Sequence, residues 1–482
     1  MSPDVLIGLA MLIVMMFAIF IGFPISFTLL FLALAFGYLG LGRTVFDLAY
    51  FQTIGMMKEE LLAAVPLFIF MGYVTEQAGL MERLFVALRL LLAPIRGSLF
   101  AVVILTATIF AMATGIVGAA VTVLGIMASP IMVKTGYDGR LAAGCITAGG
   151  TLGILIPPSV MLIVMGPVLG VSVADLYAAA FGPGFLLAGM YLVYLLGRAF
   201  VNPKLGPPVP KAERVHSAAV IIREVVIGVV PLVCLIAAAL GSIIAGIATP
   251  TEAAGVGALG ALALAAAYRK LDYPGLKRAV LATTATSSMV LLLAVTSNIF
   301  GAVFSRLGTA GWLTEAMLAL PLPPVAMLFV VILLVFVLGW PFEWPAIVLV
   351  FLPIFYPVMV ALQPALAASL GIAPDLVMVW FGAVVAVTLQ TAFLSPPVAM
   401  SAYYLRQVVK AWSLATIYKG MFEFMVLQCL AIALIVAFPA ITTWFPEQLR
   451  EEARGVQVQQ IDDSMNRLEE DPHKALQEQP VR

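Results

Sequence analysis

Two apolar stretches of this chain carry a Pro-Pro pair in their middle, and a helix must break at each. Residues 148–159 read Ala-Gly-Gly-Thr-Leu-Gly-Ile-Leu-Ile-Pro-Pro-Ser, and residues 388–400 read Thr-Leu-Gln-Thr-Ala-Phe-Leu-Ser-Pro-Pro-Val-Ala-Met. Proline has no N–H to donate, and its ring clashes with the preceding turn. The freed backbone groups matter because of what surrounds them. The chain of 482 residues is 63% hydrophobic and only 10% charged, with a mean hydropathy of +1.11. No soluble domain buries that much apolar surface, so the chain reads as an all-α polytopic membrane protein with about 20 apolar residues per span. In hydrocarbon a broken helix is tolerated only where protein buries it or where it lines a cavity.

The same composition excludes several functions. Lys+Arg and Asp+Glu balance at 25 each, which leaves no basic surface for nucleic acid. Cys145, Cys234 and Cys429 stand singly in apolar stretches, without metal or disulfide spacing. His216 and His473 lie in polar segments, so neither serves an intramembrane proton relay. There is no His-Glu-x-x-His motif and no pair of intramembrane aspartates, which argues against an enzyme; no repeated ring of polar residues marks a channel. Met1 is followed by Ser-Pro-Asp and a long apolar run, with no basic n-region and no Ala-x-Ala site. This predicts a mature first span and not a signal peptide.

The order of segments repeats. Spans are predicted at 4–23, 25–42, 61–78 and 181–200, with a polar stretch at 43–60 and a basic piece at 83–96. Residues 98–133 suit a re-entrant hairpin with its tip near 112–118, and 141–167 hold the first break. A Pro-rich linker, 201–223, separates the halves 1–200 and 224–445. The second half offers spans 224–247, 250–268, 279–304 and 421–445, a shorter segment at 306–323, a hairpin at 324–357 interrupted at 339–345, and the second break in 375–405. Pro24, Pro130 and Pro158 find counterparts in Pro250, Pro353 and Pro397, in the same order and at similar separation. The basic segments 83–96, 134–140, 198–223, 269–278 and 406–419 all fall on one side, the cytoplasmic one, when each half crosses an odd number of times and each hairpin returns to its own side. An odd count inverts the second half. The expectation is two inverted repeats with about ten transmembrane helices, two re-entrant hairpins, broken helices at the midplane and extracytoplasmic termini. Spans 4–42 and 224–268 would form a static scaffold. The polar, acidic tail 446–482 is expected to be largely disordered apart from a short helix.

Matching interrupted segments in two halves point to a transporter's binding site. Half-helix N-termini present free N–H groups that attract carboxylate, while unwound carbonyls and hydroxyls offer neutral oxygens that suit a hard cation such as sodium. The first candidate sodium site joins Thr114, Gly115 and Gly118 to Gly149, Gly150 and Thr151. The second joins Gly339, Trp340 and Glu343 to Thr388, Thr391 and Ser395. Gly150, Pro157, Pro158, Pro396 and Pro397 are the candidate substrate contacts. Other readings stay open. Gly149-Gly150 also suits close helix packing, and Thr391 and Ser395 also suit bonds to their own helix. Glu343, the only acid between 324 and 374, suits a functional role or a helix cap. Glu252, in Thr249-Pro-Thr-Glu, reads as a cap; Trp340, Trp344 and Trp444 read as interfacial anchors.

Gly118 to Pro130, the block Ala148–Ser159, Thr249-Pro-Thr-Glu-Ala-Ala-Gly255 and the Leu-Ser-Pro-Pro-Val block resemble the large membrane subunit of tripartite ATP-independent periplasmic (TRAP) transporters, over nearly all of residues 1–445. The resemblance implies a multi-pass permease of the bacterial inner membrane, working as a sodium-driven elevator. It implies a small four-helix membrane subunit and a soluble periplasmic binding protein that delivers an organic acid, often a carboxylate or dicarboxylate. Sodium would act as the coupling ion, with no other cofactor. Two details depart from the family pattern. Glu343 stands where Asp is usual, and Thr-Ala-Phe-Leu-Ser-Pro-Pro replaces a frequent Leu-Thr-Pro-Pro. No four-helix block precedes residue 1, so the small subunit is expected as a separate chain. A stand-alone ion-coupled carrier of similar architecture is the alternative.

Overall fold

The computed structural model describes residues 2–208, 214, 217–396, 399–452 and 454, and every regular element among these described residues is a helix. The first half runs through α1 (Pro3–Ile21), α2 (Ile25–Leu41), α3 (Thr44–Met57), α4 (Ala64–Gln77), α5 (Leu80–Leu92), α6 (Ser98–Thr114), α7 (Val117–Lys134), α8 (Gly139–Thr151), α9 (Val160–Leu169) and α10 (Val173–Val201). The second runs through α11 (Ala218–Ile244), α12 (Pro250–Ala267), α13 (Tyr273–Arg306), α14 (Thr309–Leu318), α15 (Pro324–Leu338), α16 (Trp344–Ala346), α17 (Leu352–Leu370), α18 (Val377–Ala392), α19 (Met400–Val408) and α20 (Leu414–Ala437). Among the described residues nine helices are long and apolar enough to cross a membrane, or ten with the bent α4–α5 pair counted as one span. The protein is an all-α polytopic membrane protein.

Local chemistry sets the helix ends. Pro24 caps α2 and Pro250 opens α12, where a missing N–H costs nothing. Thr249 and Glu252 form a reciprocal capping box, with the Thr249 N–H donating to the Glu252 carboxylate at 2.8 Å and the Glu252 N–H to Thr249 Oγ1 at 3.3 Å. The sequence reading of Glu252 as a cap therefore holds.

Four segments differ from the sequence expectation. The polar stretch 43–60 is mostly helical, as α3. The basic piece 83–96 is helical up to Leu92, within α5, an amphipathic helix that leaves α4 at 59° after Gly79 adopts φ +67°. The second arm of hairpin two runs through α17 to Leu370, past Pro357 and Pro364. The last span, expected over 421–445, begins earlier and ends at Ala437, and residues 440–452 form a separate helix after Pro439. That helix is the short one expected in the tail; residues 455–482 lie outside the described residues, as do 209–213 and 215–216 of the linker.

Helix partners correspond between the halves. α4 packs along α12, and α13 along α2; α5 meets α11, and α14 meets α1; α8 meets α20, and α18 meets α10; α7 meets α19, and α17 meets α9. The two broken helices lie deepest. Every residue of α18 is buried, as is every residue of α8 from Leu141 to Thr151. Ion pairs brace this core at its ends. Glu423 on α20 receives Arg140 Nε at 3.0 Å and bonds the Tyr194 hydroxyl. Arg450 of the terminal helix reaches Asp175 at 2.5 Å and also bonds Asp375.

The α8–α20 contact is made by two glycines facing each other. A Cβ on Gly420 would lie 2.1 Å from the Arg140 carbonyl oxygen and 2.9 Å from the Gly144 nitrogen. Small residues at such positions let membrane helices approach closely. Gly420→Ala is expected to destabilise the purified protein by about 1–3 kcal/mol, the usual cost of overpacking, seen as a lower melting temperature in detergent. Gly255→Ala, where a Cβ meets nothing within 4 Å, is the control and should melt like the parent.

Candidate functional site

Both hairpins turn where the sequence interrupts them. α6 ends at Thr114, Gly115 takes a left-handed φ of +61°, and α7 starts at Val117. In the second, α15 ends at Leu338 and α16 starts at Trp344. Each tip rests on the break of its own half. A Cβ on Gly115 would lie 3.7 Å from the carbonyl oxygens of Gly153 and Pro158, and one on Gly339 would lie 3.0 Å from Ala392 Cβ. The first break is a 3-10 turn, Leu152–Ile154, then irregular chain to Val160; the second spans the residues between Ala392 and Met400.

The candidate sodium ligands separate into roles. Gly149 packs on α6, with Ala107 Cβ 3.2 Å from where its own Cβ would be, so packing explains it. Gly150 packs on α7 so closely that a Cβ would meet Val121 Cγ2 at 2.3 Å and the Val121 nitrogen at 3.1 Å. The hydroxyls all donate to carbonyls of their own helices: Thr114 to Phe110 at 3.2 Å, Thr151 to Ala148 at 2.8 Å, Thr388 to Val384 at 2.8 Å, Thr391 to Thr388 at 2.6 Å and Ser395 to Thr391 at 2.7 Å. Such a bond uses the one hydroxyl proton and leaves oxygen lone pairs as acceptors, the right polarity for a hard cation. Among the described residues no three His, Cys, Asp or Glu side chains cluster, so neutral oxygens are what the breaks offer.

A cavity of about 150 Å³ lies where the tips meet the breaks. Gly115 to Gly118 and Glu343 to Pro345 contribute the tips; Ile154, Val160, Phe393 and Met400 contribute the breaks; Ile69 of α4 and Thr286, Met289 and Val290 of α13 close the wall. The N-terminal ends of α7, α9, α16 and α19 thus all border one space. The expected substrate contacts do not. Pro157 and Pro158 are buried, Pro396 is exposed, and none of them nor Gly150 lines the cavity; Pro397 lies outside the described residues. The prolines open the helices, and their neighbours form the wall. Glu343 occupies the N-cap position of α16, yet its side chain makes no capping bond; it lines the cavity instead, as does Trp344.

Three contributors escaped the sequence reading. Tyr404 lies over Gly118, whose Cβ would be 3.1 Å from its ring, and lines the cavity. Thr286 bonds Tyr73 across α13 and α4 at 3.0 Å; the polar run Thr283-Thr-Ala-Thr-Ser-Ser288 in an apolar helix was its signal. Gln390, fully buried, accepts from Thr151 Oγ1 at 3.1 Å; it is the only amide side chain in α18, which was its signal.

The profile of the tripartite ATP-independent periplasmic transporter DctM component matches residues 10–441. The chain belongs to this TRAP family. It is 31% identical over 433 residues to the sialic acid TRAP transporter large permease protein SiaM of Vibrio cholerae, covering 89% of this chain and 96% of that protein. It is 28% identical over 443 residues to the C4-dicarboxylate TRAP transporter large permease protein DctM of Rhodobacter capsulatus, covering 89% and 96%. Among solved structures, the YdaH transporter of Alcanivorax borkumensis superposes with a TM-score of 0.58 at 15% identity, covering 92% of this chain and all of that one; this shows a shared fold. TRAP large permeases are transport subunits and not enzymes, and a tripartite system implies a small membrane subunit and a periplasmic binding protein as partners.

Gly150→Ala is expected to lower substrate uptake by about tenfold or more while the protein still elutes as one species on gel filtration. The Val121 nitrogen cannot rotate away, and a displacement costing about 1.4 kcal/mol is tenfold in rate.

Proposed function

We propose that this chain is the sodium-coupled permease subunit of a tripartite importer in the bacterial inner membrane, taking a small organic acid from a periplasmic binding protein and working with a separate small four-helix subunit. The observation that carries this reading is the cavity shared by both tips and both breaks and bordered by four helix N-termini, with hydroxyls whose protons are donated to carbonyls on the last turns of the broken helices. N-terminal dipole ends hold a carboxylate, and the opposite ends of the same broken helices hold the cation. Anion and sodium thus enter one electrostatic unit, and each lowers the cost of the other.

The transport step follows from the same geometry. The halves are inverted repeats, a reading supported by the corresponding helix partners. Both hairpins and both broken helices move as one block against a scaffold of residues 4–42 and 224–268. Local unwinding would expose backbone groups to lipid, whereas rigid-body motion keeps them satisfied.

Uptake in proteoliposomes containing both membrane subunits and the binding protein tests the coupling. A sodium gradient is expected to drive accumulation, and a proton gradient without sodium is not; equal uptake under the two would overturn the sodium reading. Single cysteines at Gly118 and Glu343 test the motion. Their labelling by impermeant reagents is expected to change in opposite senses between inward and outward states, and unchanged accessibility at both during confirmed uptake would rule out the elevator.

A further inference from the structure

Two hollows lie along one face of α4. The central cavity touches it at Ile69, and a larger cleft of about 590 Å³ touches it at Glu76 and Gln77. From Ile69 to Glu76 is two turns, about 10 Å of helix. The hollows share α7 as well, through Ile116 and Gly118 in the cavity and Val123 in the cleft. They differ in chemistry. Glu82, Arg83 and Lys270 make the cleft a charged mouth, on the face where the basic segments gather, the cytoplasmic one by charge bias. The described wall of the cavity is mainly apolar. Tyr73 stands between the two on the same face of α4, one turn from Ile69 and one from Gln77. Its hydroxyl is tied to Thr286 of α13 at 3.0 Å. The Tyr404 ring stands over Gly118, 3.1 Å from where a Cβ would be, and within electrostatic reach of Tyr73. Next to Tyr73, Gly72 brings α4 against the first tip, where a Cβ would lie 2.8 Å from the Thr114 carbonyl oxygen.

We propose that Tyr73 and Tyr404 are the two leaves of a gate across the substrate's exit from the cavity to the cytoplasmic cleft, an inference that rests on the permease reading above. The leaves belong to different bodies. α4 packs along α12 and α13 along α2, with the scaffold, whereas α19 packs on α7, within the moving block. Tyr73 is the fixed leaf, since its hydroxyl is tied to α13. Tyr404 is the moving one. Its hydroxyl bonds the Met400 sulfur at 3.7 Å, a weak acceptor, and its ring rests on a glycine, so a turn of the side chain gives up little. Closure serves retention. Helix N-termini hold an anion strongly only where water is kept away, because the attraction weakens as the local dielectric rises. With the leaves together, two phenol rings keep the water of the charged mouth from the four helix ends. With Tyr404 turned aside, water enters, the attraction falls and the acid leaves between α4 and α7.

Cysteines on either side of Tyr73 test the gate. Ile69→Cys reports on the cavity and Glu76→Cys on the cleft, each as the single cysteine of the full chain with its small subunit, in inside-out vesicles. The background carries Cys145→Ala, Cys234→Ala and Cys429→Ala. The probe is sulfonatoethyl methanethiosulfonate, a small anion. With both tyrosines in place, Ile69→Cys is expected to react about tenfold or more slowly than Glu76→Cys, as for an open state populated at about a tenth or less. Tyr404→Ala is expected to speed the reaction of Ile69→Cys by about tenfold and to leave that of Glu76→Cys unchanged. Tyr404→Phe keeps the ring and is expected to stay slow. If Tyr404→Ala does not fold, Tyr73→Ala removes the other leaf and is expected to give the same selective gain. A merely structural role would change both positions or neither. Equal reaction at both positions with the tyrosines intact, or a gain at neither or at both in the alanine variants, overturns the gate alone and leaves the uptake described above untouched. A wild type without that uptake overturns the permease reading, and the exit role of the gate falls with it.

Discussion

A peptide group that loses its helical partner in hydrocarbon must find another partner inside the protein. Nearly everything distinctive in this fold meets that requirement. The chain breaks two helices with proline pairs, and those helices, α8 and α18, are its most completely buried elements. Each break is covered by a hairpin tip of its own half, at Gly115 and at Gly339, and the two broken helices are joined through Thr151 and Gln390. Moving outward from this centre, the helices become progressively more exposed. Only 22% of the apolar window of α1 is buried, as befits a helix with no broken backbone to protect.

The same requirement explains why the cavity's recognition chemistry comes from backbone. No lysine, arginine or histidine lines it. A buried cation without a partner is unfavourable by several kcal/mol, whereas a helix N-terminus brings roughly half a positive charge already paid for by the helix's own hydrogen bonds. Four such ends border the cavity of about 150 Å³, and Glu343 is the one acidic side chain among its described lining residues. Hydroxyls on the C-terminal turns, their protons committed to carbonyls, supply the opposite polarity a few residues away.

The parts of this design legible in the sequence are those written as interruptions. Pro157-Pro158, Gly115 and the Gly339–Pro345 stretch each violate helix chemistry in an apolar context, and each marks a real break or tip. The parts that were not legible depend on which faces meet. Tyr404 sits in an ordinary helix and becomes a wall residue only because Gly118 of the other half leaves room for its ring. The prolines expected as substrate contacts are chemically conspicuous because they turn the backbone, and Ile154, Val160, Phe393 and Met400 near them line the cavity. α5 was left without a secondary structure for a related reason: its arginines stand out as a basic piece, and the apolar residues between them form the buried face of an amphipathic helix.

Packing also differs between the interior of the proposed moving block and the helix beside it. Inside the proposed moving block, α8 and α7 approach so closely that a Cβ on Gly150 would meet Val121 Cγ2 at 2.3 Å. Between the block and α13 the packing is loose. A second cavity of about 540 Å³ lies there, between α3 and α13 on one side and α9 and α17 on the other. The face that α13 turns toward it bears mostly small or polar residues, Ala294, Ser297, Asn298, Gly301, Ala302 and Ser305, with Phe304 the one large side chain. The Asn298 amide donates to Gln52 of α3 at 2.9 Å, and Thr286 bonds Tyr73 of α4, so these two side chains are bonded to neighbours outside the hairpins and broken helices. A block sliding past α13 would break none of these bonds. It would exchange one set of dispersion contacts for another of similar strength, which is the condition for two positions of comparable free energy and a low barrier between them.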